Sequence, residues 1–201
     1  HTANRRQRQM CIRDRLQPIN AFELDAAILF SDILTIPDSF GLGVEFIEKE
    51  GPVFRNPISN GTDIKNLNHF DPESLDYVYK AVNNIKSSLP EEIPLIGFCG
   101  SPWTLAAYSI EGRSSKDFEK TLGFLESNQK DVHDLLIKYT DACFLYLRKQ
   151  VQSGADVIQI FDSWANLLTK EALIEFSFNY INSLISALKL DPITKNIPVI
   201  I

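Results

Sequence analysis

Three short apolar runs are each followed by residues able to do chemistry. Asp32 comes directly after "AAILF" (26–30) and Ser31. Tyr108 lies in "GFCGSPWTLAAYSIEG" (97–112). Asp162 and Ser163 open "DSWAN" after Phe161. Brought together, they offer acids, an aromatic hydroxyl and an aliphatic hydroxyl among Phe30, Phe98 and Phe161. A carboxylate at the mouth of an apolar strand stabilises positive charge best when water is excluded. Each residue also has a plain structural reading. Asp32 caps a following short helix, Tyr108 is a core tyrosine with its hydroxyl at the rim, and Asp162-Ser163 is a cap pair. The residues alone leave these alternatives open.

Other chemistries find little support. Gly97 and Gly100 do not form a phosphate loop, because no G-x-G-x-x-G or G-x-x-x-x-G-K pattern occurs. His69 and His133 have no partner at ligand spacing and read as surface histidines. No Ser-His-Asp arrangement can be argued. Cys11, Cys99 and Cys143 are odd in number and widely spaced. They give neither a metal pattern nor a disulfide framework, which points to a reducing, cytoplasmic setting.

The elements that must position these residues follow from apolar spacing. Ala26–Phe30, Ile93–Cys99, Asp156–Phe161 and Ile197–Ile201 are apolar on both faces, as parallel strands under helices are. Asp71-Pro72-Glu73 opens a helix with Leu75, Val78, Val82, Ile85 and Leu89 on one face. Val132, Leu135, Leu136, Tyr139, Cys143, Leu147 and Val151 mark a second, stopping near Ser153-Gly154. A third covers about Lys170 to Leu188 and ends at Asp191-Pro192. Leu42–His69 reads as an excursion beside the sheet. The class is α/β with a parallel sheet, and periodicity alone does not separate an open sheet from a closed barrel. In either, ligands meet the carboxyl ends of the strands.

The 201 residues suffice for one domain, with 44% hydrophobic and 23% charged residues. No apolar run approaches the roughly 20 residues of a membrane span. The basic stretch "HTANRRQRQMCIRDR" (1–15) is expected to be disordered or non-native, leaving 16–201 as the folded domain. Residues 16–201 hold 15 basic and 25 acidic side chains, a formal charge of −10, which argues against nucleic acid as a partner. The chain ends inside "NIPVII", in what reads as a buried strand, so a truncated protein is expected.

"FSDILTIPDSFGLGVEF", "PLIGFCGSPWTLAAYSIEG" followed by Ser115-Lys116-Asp117-Phe118, and "GADVIQIFDSWA" resemble the uroporphyrinogen decarboxylase family, from about Leu16 to Ile201. The resemblance implies a (β/α)8 TIM barrel, usually a homodimer, of which this chain holds a part, about strands 2–5. It implies removal of CO2 from the four acetate side chains of uroporphyrinogen III, giving coproporphyrinogen III in haem (porphyrin) biosynthesis, without metal or organic cofactor. By the same resemblance Asp32 accepts hydrogen bonds from substrate pyrrole N–H groups. Tyr108 and Ser163 contact substrate carboxylates, and Ile28, Phe98 and Phe161 form apolar wall. The family's "RQAGRY" arginines and a late histidine have no counterpart here; the arginines of "RRQRQ" do not match that motif. Ser101 stands where alanine is usual and Asn166 where glycine is common.

The implied chemistry suits the residues. Protonating a pyrrole carbon beside the acetate makes the ring an electron sink, and the positive charge reaches its nitrogen. A fixed, poorly solvated carboxylate steadies that charge. Only Arg55, Arg113 and Lys116 lie near the motifs to meet an octacarboxylate. This chain is therefore expected to be inactive alone, and the open edges of a partial barrel to leave it marginally stable. The rival expectations are a corrinoid or methyl-coenzyme methyltransferase of the same superfamily, and a non-catalytic fragment that binds a tetrapyrrole.

Overall fold

The computed structural model describes residues 18–19, 21–29, 31–47 and 51–201. The basic segment 1–15 and Phe30 lie outside the described residues. Among the described residues the strands are β1 (Ala27–Ile28), β2 (Val44–Ile47), β3 (Gly51–Phe54), β4 (Leu95–Gly100), β5 (Val157–Phe161) and β6 (Val199–Ile200). β2 and β3 pair antiparallel as a separate hairpin within the 42–69 excursion. The other four make one parallel sheet in the order β1-β4-β5-β6.

That order decides between the two α/β architectures. Each parallel strand lies beside the next one in sequence, and the winding never reverses. A doubly wound sheet reverses at a switch point, whereas a barrel does not. The fold is therefore α/β, a partial (β/α)8 barrel.

The helices are α1 (Thr35–Pro37), α2 (Gly61–Lys65), α3 (Asp76–Lys86), α4 (Pro102–Glu111), α5 (Glu119–Ser127), α6 (Gln129–Gln152), α7 (Lys170–Ala172) and α8 (Asn179–Leu190). Their ends follow local chemistry. Asp71 accepts the Glu73 N–H at 2.9 Å and opens a tight turn, Pro72–Leu75, that leads into α3. Ser101 caps α4 by accepting the Thr104 N–H at 3.0 Å, with Pro102 in the first turn. α6 stops before Gly154, whose φ of 113° few other residues adopt. The third expected helix runs unbroken from Lys170 to Leu190, with its turns widened to π type over Leu173–Phe178, between α7 and α8.

The sheet's two faces differ. Leu95, Cys99, Ile158 and Ile160 are buried under the helices, with Leu135, Leu136, Cys143 and Leu147 of α6 in the same core. Burying each large aliphatic side chain contributes roughly 1.5–3 kcal/mol. Strand alternation sends Ile28, Ile96, Phe98, Gln159 and Phe161 to the opposite, concave face. The register agrees, pairing Ile28 with Ile96, Phe98 with Gln159 and Gly100 with Phe161.

β1 is shorter than its apolar run. Ala27 N–H donates to Pro94 C=O and Leu29 N–H to Ile96 C=O, so Phe98 is next along that edge of β4. Its groups are already taken. The buried Gln150 side chain accepts the Phe98 N–H at 3.0 Å and donates to the Phe98 C=O at 2.9 Å. A side-chain amide thus replaces the neighbouring strand, and the chain carrying Asp32 leaves the sheet. Gly97 makes room for it, since a β-carbon there would lie 2.6 Å from Gln150 Oε1.

Candidate active site

Asp32 follows β1 and is half-buried. Its Oδ1 accepts the Leu34 N–H at 2.9 Å, so part of the capping reading holds: the carboxylate bridges the turn into α1. Oδ2 takes no hydrogen bond from a described residue, and no described cation pairs with Asp32. Burial pushes its pKa up, the Leu34 N–H partly offsets this, and the Asp38 charge adds to the rise. Its charge in turn contributes to raising the Tyr108 phenol, after burial, so the two groups sense each other. Burial pushes the Tyr146 phenol's pKa up, and Ser31 and Thr35 partly offset the rise.

Tyr108 sits two turns into α4, half-buried, with its ring 5.7 Å from Phe118 and 5.8 Å from Trp164, both edge-on. Phe118 and Trp164 pack at 4.3 Å. On the concave face Phe98 and Phe161 meet edge-to-face at 5.5 Å. Ile28 lies on that face by register and is half-buried.

Asp162 and Ser163 divide the work at the end of β5. Asp162 Oδ1 accepts the hydroxyls of Ser101 at 2.7 Å and Thr104 at 3.1 Å, and Oδ2 accepts that of Ser177 at 2.5 Å. It caps no helix; it is a clasp joining β5, α4 and the turns before α8. Ser163, the next residue, is exposed, and no hydrogen bond joins it to Asp32 or Tyr108 among the described residues. Asn166 is exposed in the short turn Ala165–Leu167.

Other sequence candidates settle elsewhere. Arg55 pairs with Glu45 at 3.1 Å on the exposed hairpin. Arg113 bridges Val53 through its backbone, and Lys116 is exposed. His133 lies at the surface, as expected, with partners that the sequence did not show. Its Nδ1 lies 2.6 Å from the Tyr180 hydroxyl and its Nε2 3.2 Å from Glu175, while its ring stacks on Phe176. The wide turns bring Glu175 beside α6, which helical spacing did not foretell.

Sequence reasoning also missed Gln150 and the contacts of Trp164. A polar residue in the otherwise apolar tail of α6 was the available signal for Gln150. Trp164 stood in the cluster after Phe161, but its packing on Tyr108 and Phe118 comes from tertiary structure.

A parallel-stranded α/β barrel segment with a shielded carboxylate beyond one strand and an aromatic hydroxyl beyond the next belongs to the barrel proteins that assemble their sites at carboxyl strand ends. A family model described as uroporphyrinogen decarboxylase (URO-D) matches residues 3–201, reaching into the basic segment that the motifs left out. The chain belongs to the uroporphyrinogen decarboxylase family. It is 48% identical over 187 residues to uroporphyrinogen decarboxylase of Acinetobacter baylyi, covering 92% of this chain and 52% of that protein. It is 50% identical over 175 residues to that of Psychrobacter arcticus, covering 87% and 46%. The chain spans about half the length of the curated relatives it matches. A solved methyltransferase from Methanosarcina mazei superposes with a TM-score of 0.74 at 17% identity, over 90% of this chain and 53% of that one, a likeness of fold. No helix among the described residues is long and apolar enough to cross a membrane.

Proposed function

We propose that the chain supplies one wall of a site that removes CO2 from the four acetate side chains of uroporphyrinogen III, giving coproporphyrinogen III. The relatives' shared name and their 46–50% identity support the reaction. The observation that carries the site is Asp32: a half-buried carboxylate beyond β1, with one oxygen held by Leu34.

In this reading Asp32 accepts the pyrrole N–H groups. Once a ring carbon is protonated, the macrocycle becomes cationic, and the fixed charge lowers the barrier to CO2 loss. Unit charges about 4 Å apart attract by about 4 kcal/mol at an effective dielectric of about 20, and by about 1 kcal/mol in water. Partial burial is thus what makes Asp32 useful. Tyr108 and Ser163 donate hydroxyl hydrogen bonds to substrate carboxylates and orient the acetate. Ile28, Phe98 and Phe161 line the apolar wall. Proton transfer and the remaining carboxylate contacts fall to groups outside these residues. No metal or organic cofactor enters the scheme. The working form is a cytoplasmic homodimer.

The test is Asp32→Asn in the full-length protein, assayed for coproporphyrinogen. The variant keeps shape and loses charge. Turnover within a factor of about three, roughly 0.7 kcal/mol, would remove the electrostatic role. The separate 201-residue chain is expected to show no turnover.

A further inference from the structure

One buried donor in the site has no structural explanation. The indole N–H of Trp164 is shut away from solvent and finds no hydrogen-bond acceptor among the described residues. Such orphaned donors are costly and uncommon. Trp164 is otherwise tightly held. Its C=O accepts the Trp103 indole N–H at 3.0 Å, and its ring is wedged against Phe118 and Tyr108. The Tyr108 ring packs edge-on to this indole at 5.8 Å, and while burial raises the phenol's pKa the indole opposes that rise. Donor and hydroxyl are neighbours whose hydrogen bond has not closed.

We propose that Trp164 is a positioning residue for Tyr108, its indole N–H closing onto the Tyr108 oxygen when a substrate carboxylate draws the hydroxyl proton outward. This rests on Tyr108 contacting a substrate carboxylate. The chemistry permits only one polarity. A phenol both accepts and donates, whereas an indole N–H only donates. A bond from Trp164 to the oxygen leaves the hydroxyl proton for the carboxylate, and each bond strengthens the other. The cost of the orphaned donor is recovered when the bond closes, so Trp164 adds to affinity for carboxylate-bearing substrates.

The experiment replaces Trp164 in the full-length protein with β-(3-benzothienyl)alanine, which keeps the ring shape and puts sulfur in place of N–H. Trp164→Phe is the companion variant, and each is also made in a Tyr108→Phe background. The contact exists in both ground and transition states, so KM for uroporphyrinogen should rise about tenfold with kcat within about threefold. Neither replacement should change KM further once Tyr108 is Phe. The isostere carries the test if Trp164→Phe fails to fold. An unchanged KM with the isostere, or an equal rise in both backgrounds, overturns the inference. A Tyr108→Phe variant with normal KM and kcat overturns the Tyr108 assignment itself. A defective Tyr108→Phe beside a normal isostere defeats only the role of Trp164.

Discussion

The Ser177 hydroxyl lies 2.5 Å from Oδ2 of Asp162, across fifteen residues of chain, while Ser101 and Thr104 hold the other oxygen. One carboxylate therefore fixes the end of β5 to two helical segments, and Ser163 takes its place from that clasp. Asp162→Ala would strand three hydroxyls in partly buried surroundings. It is expected to lower the unfolding free energy by about 3 kcal/mol in urea titrations, and to reduce turnover by displacing Ser163. An unchanged urea midpoint would count against the clasp.

Ser101 tests the same clasp more gently. Its hydroxyl both caps α4 and donates to Asp162. Ser101→Ala is expected to cost about 1 kcal/mol, read as a lower midpoint at unchanged denaturant slope.

Asp32 should leave a signature in the pH dependence of stability. Burial raises its folded pKa above 3.8, so as pH rises the unfolded chain releases this proton before the folded one does. The fold loses stability across the window from 3.8 to the raised value and stays less stable above it. Asp32→Asn removes that penalty. The variant should melt higher than the parent at about pH 7 and match it below about pH 3. Its turnover should nonetheless fall by about a hundredfold or more, near 2.7 kcal/mol. A variant that gains stability as it loses activity is the expected mark of a charge placed for function.

Ser163 and Tyr108 should behave as binding groups. Ser163→Ala and Tyr108→Phe are each expected to raise KM about tenfold while kcat falls less, measured in steady-state assays of the full-length protein. A selective loss of kcat in either would assign that hydroxyl to the chemical step instead.

Gln150 supports β4 from the side. Gln150→Leu, similar in size, would leave the Phe98 N–H and C=O unsatisfied and is expected to cost about 2–3 kcal/mol. Amide exchange at Phe98 should quicken more than at Ile158.

The sheet and its long helices were legible because burial on both faces leaves continuous apolar runs, and because Asp71-Pro72 and Ser153-Gly154 punctuate them. Val157–Phe161 and α6 fall close to their expected limits for that reason. The order of strands was not legible, since spacing carries no information about which strands adjoin. Asp32 stood out because an acid after "AAILF" breaks a pattern. Asp162 looked equally reactive, and only its three hydroxyl partners, from positions 101, 104 and 177, reveal a structural part. Those partners come together through tertiary packing, as do Glu175, His133 and Tyr180. The widening inside the third helix escaped because Leu173–Phe178 keeps apolar residues at nearly helical intervals.

Gly97 and Gln150 lie far apart in sequence yet occupy one volume, with only 2.6 Å between the amide oxygen and the place a methyl at 97 would fill. They should therefore vary as a unit among related sequences. A lineage that acquires alanine at 97 is expected to have traded the glutamine for a smaller partner, and to let β1 run further beside β4. In such a lineage the acid after that strand would be presented at a different height, so an exchange on the outer side of the sheet would retune the pocket on the inner side.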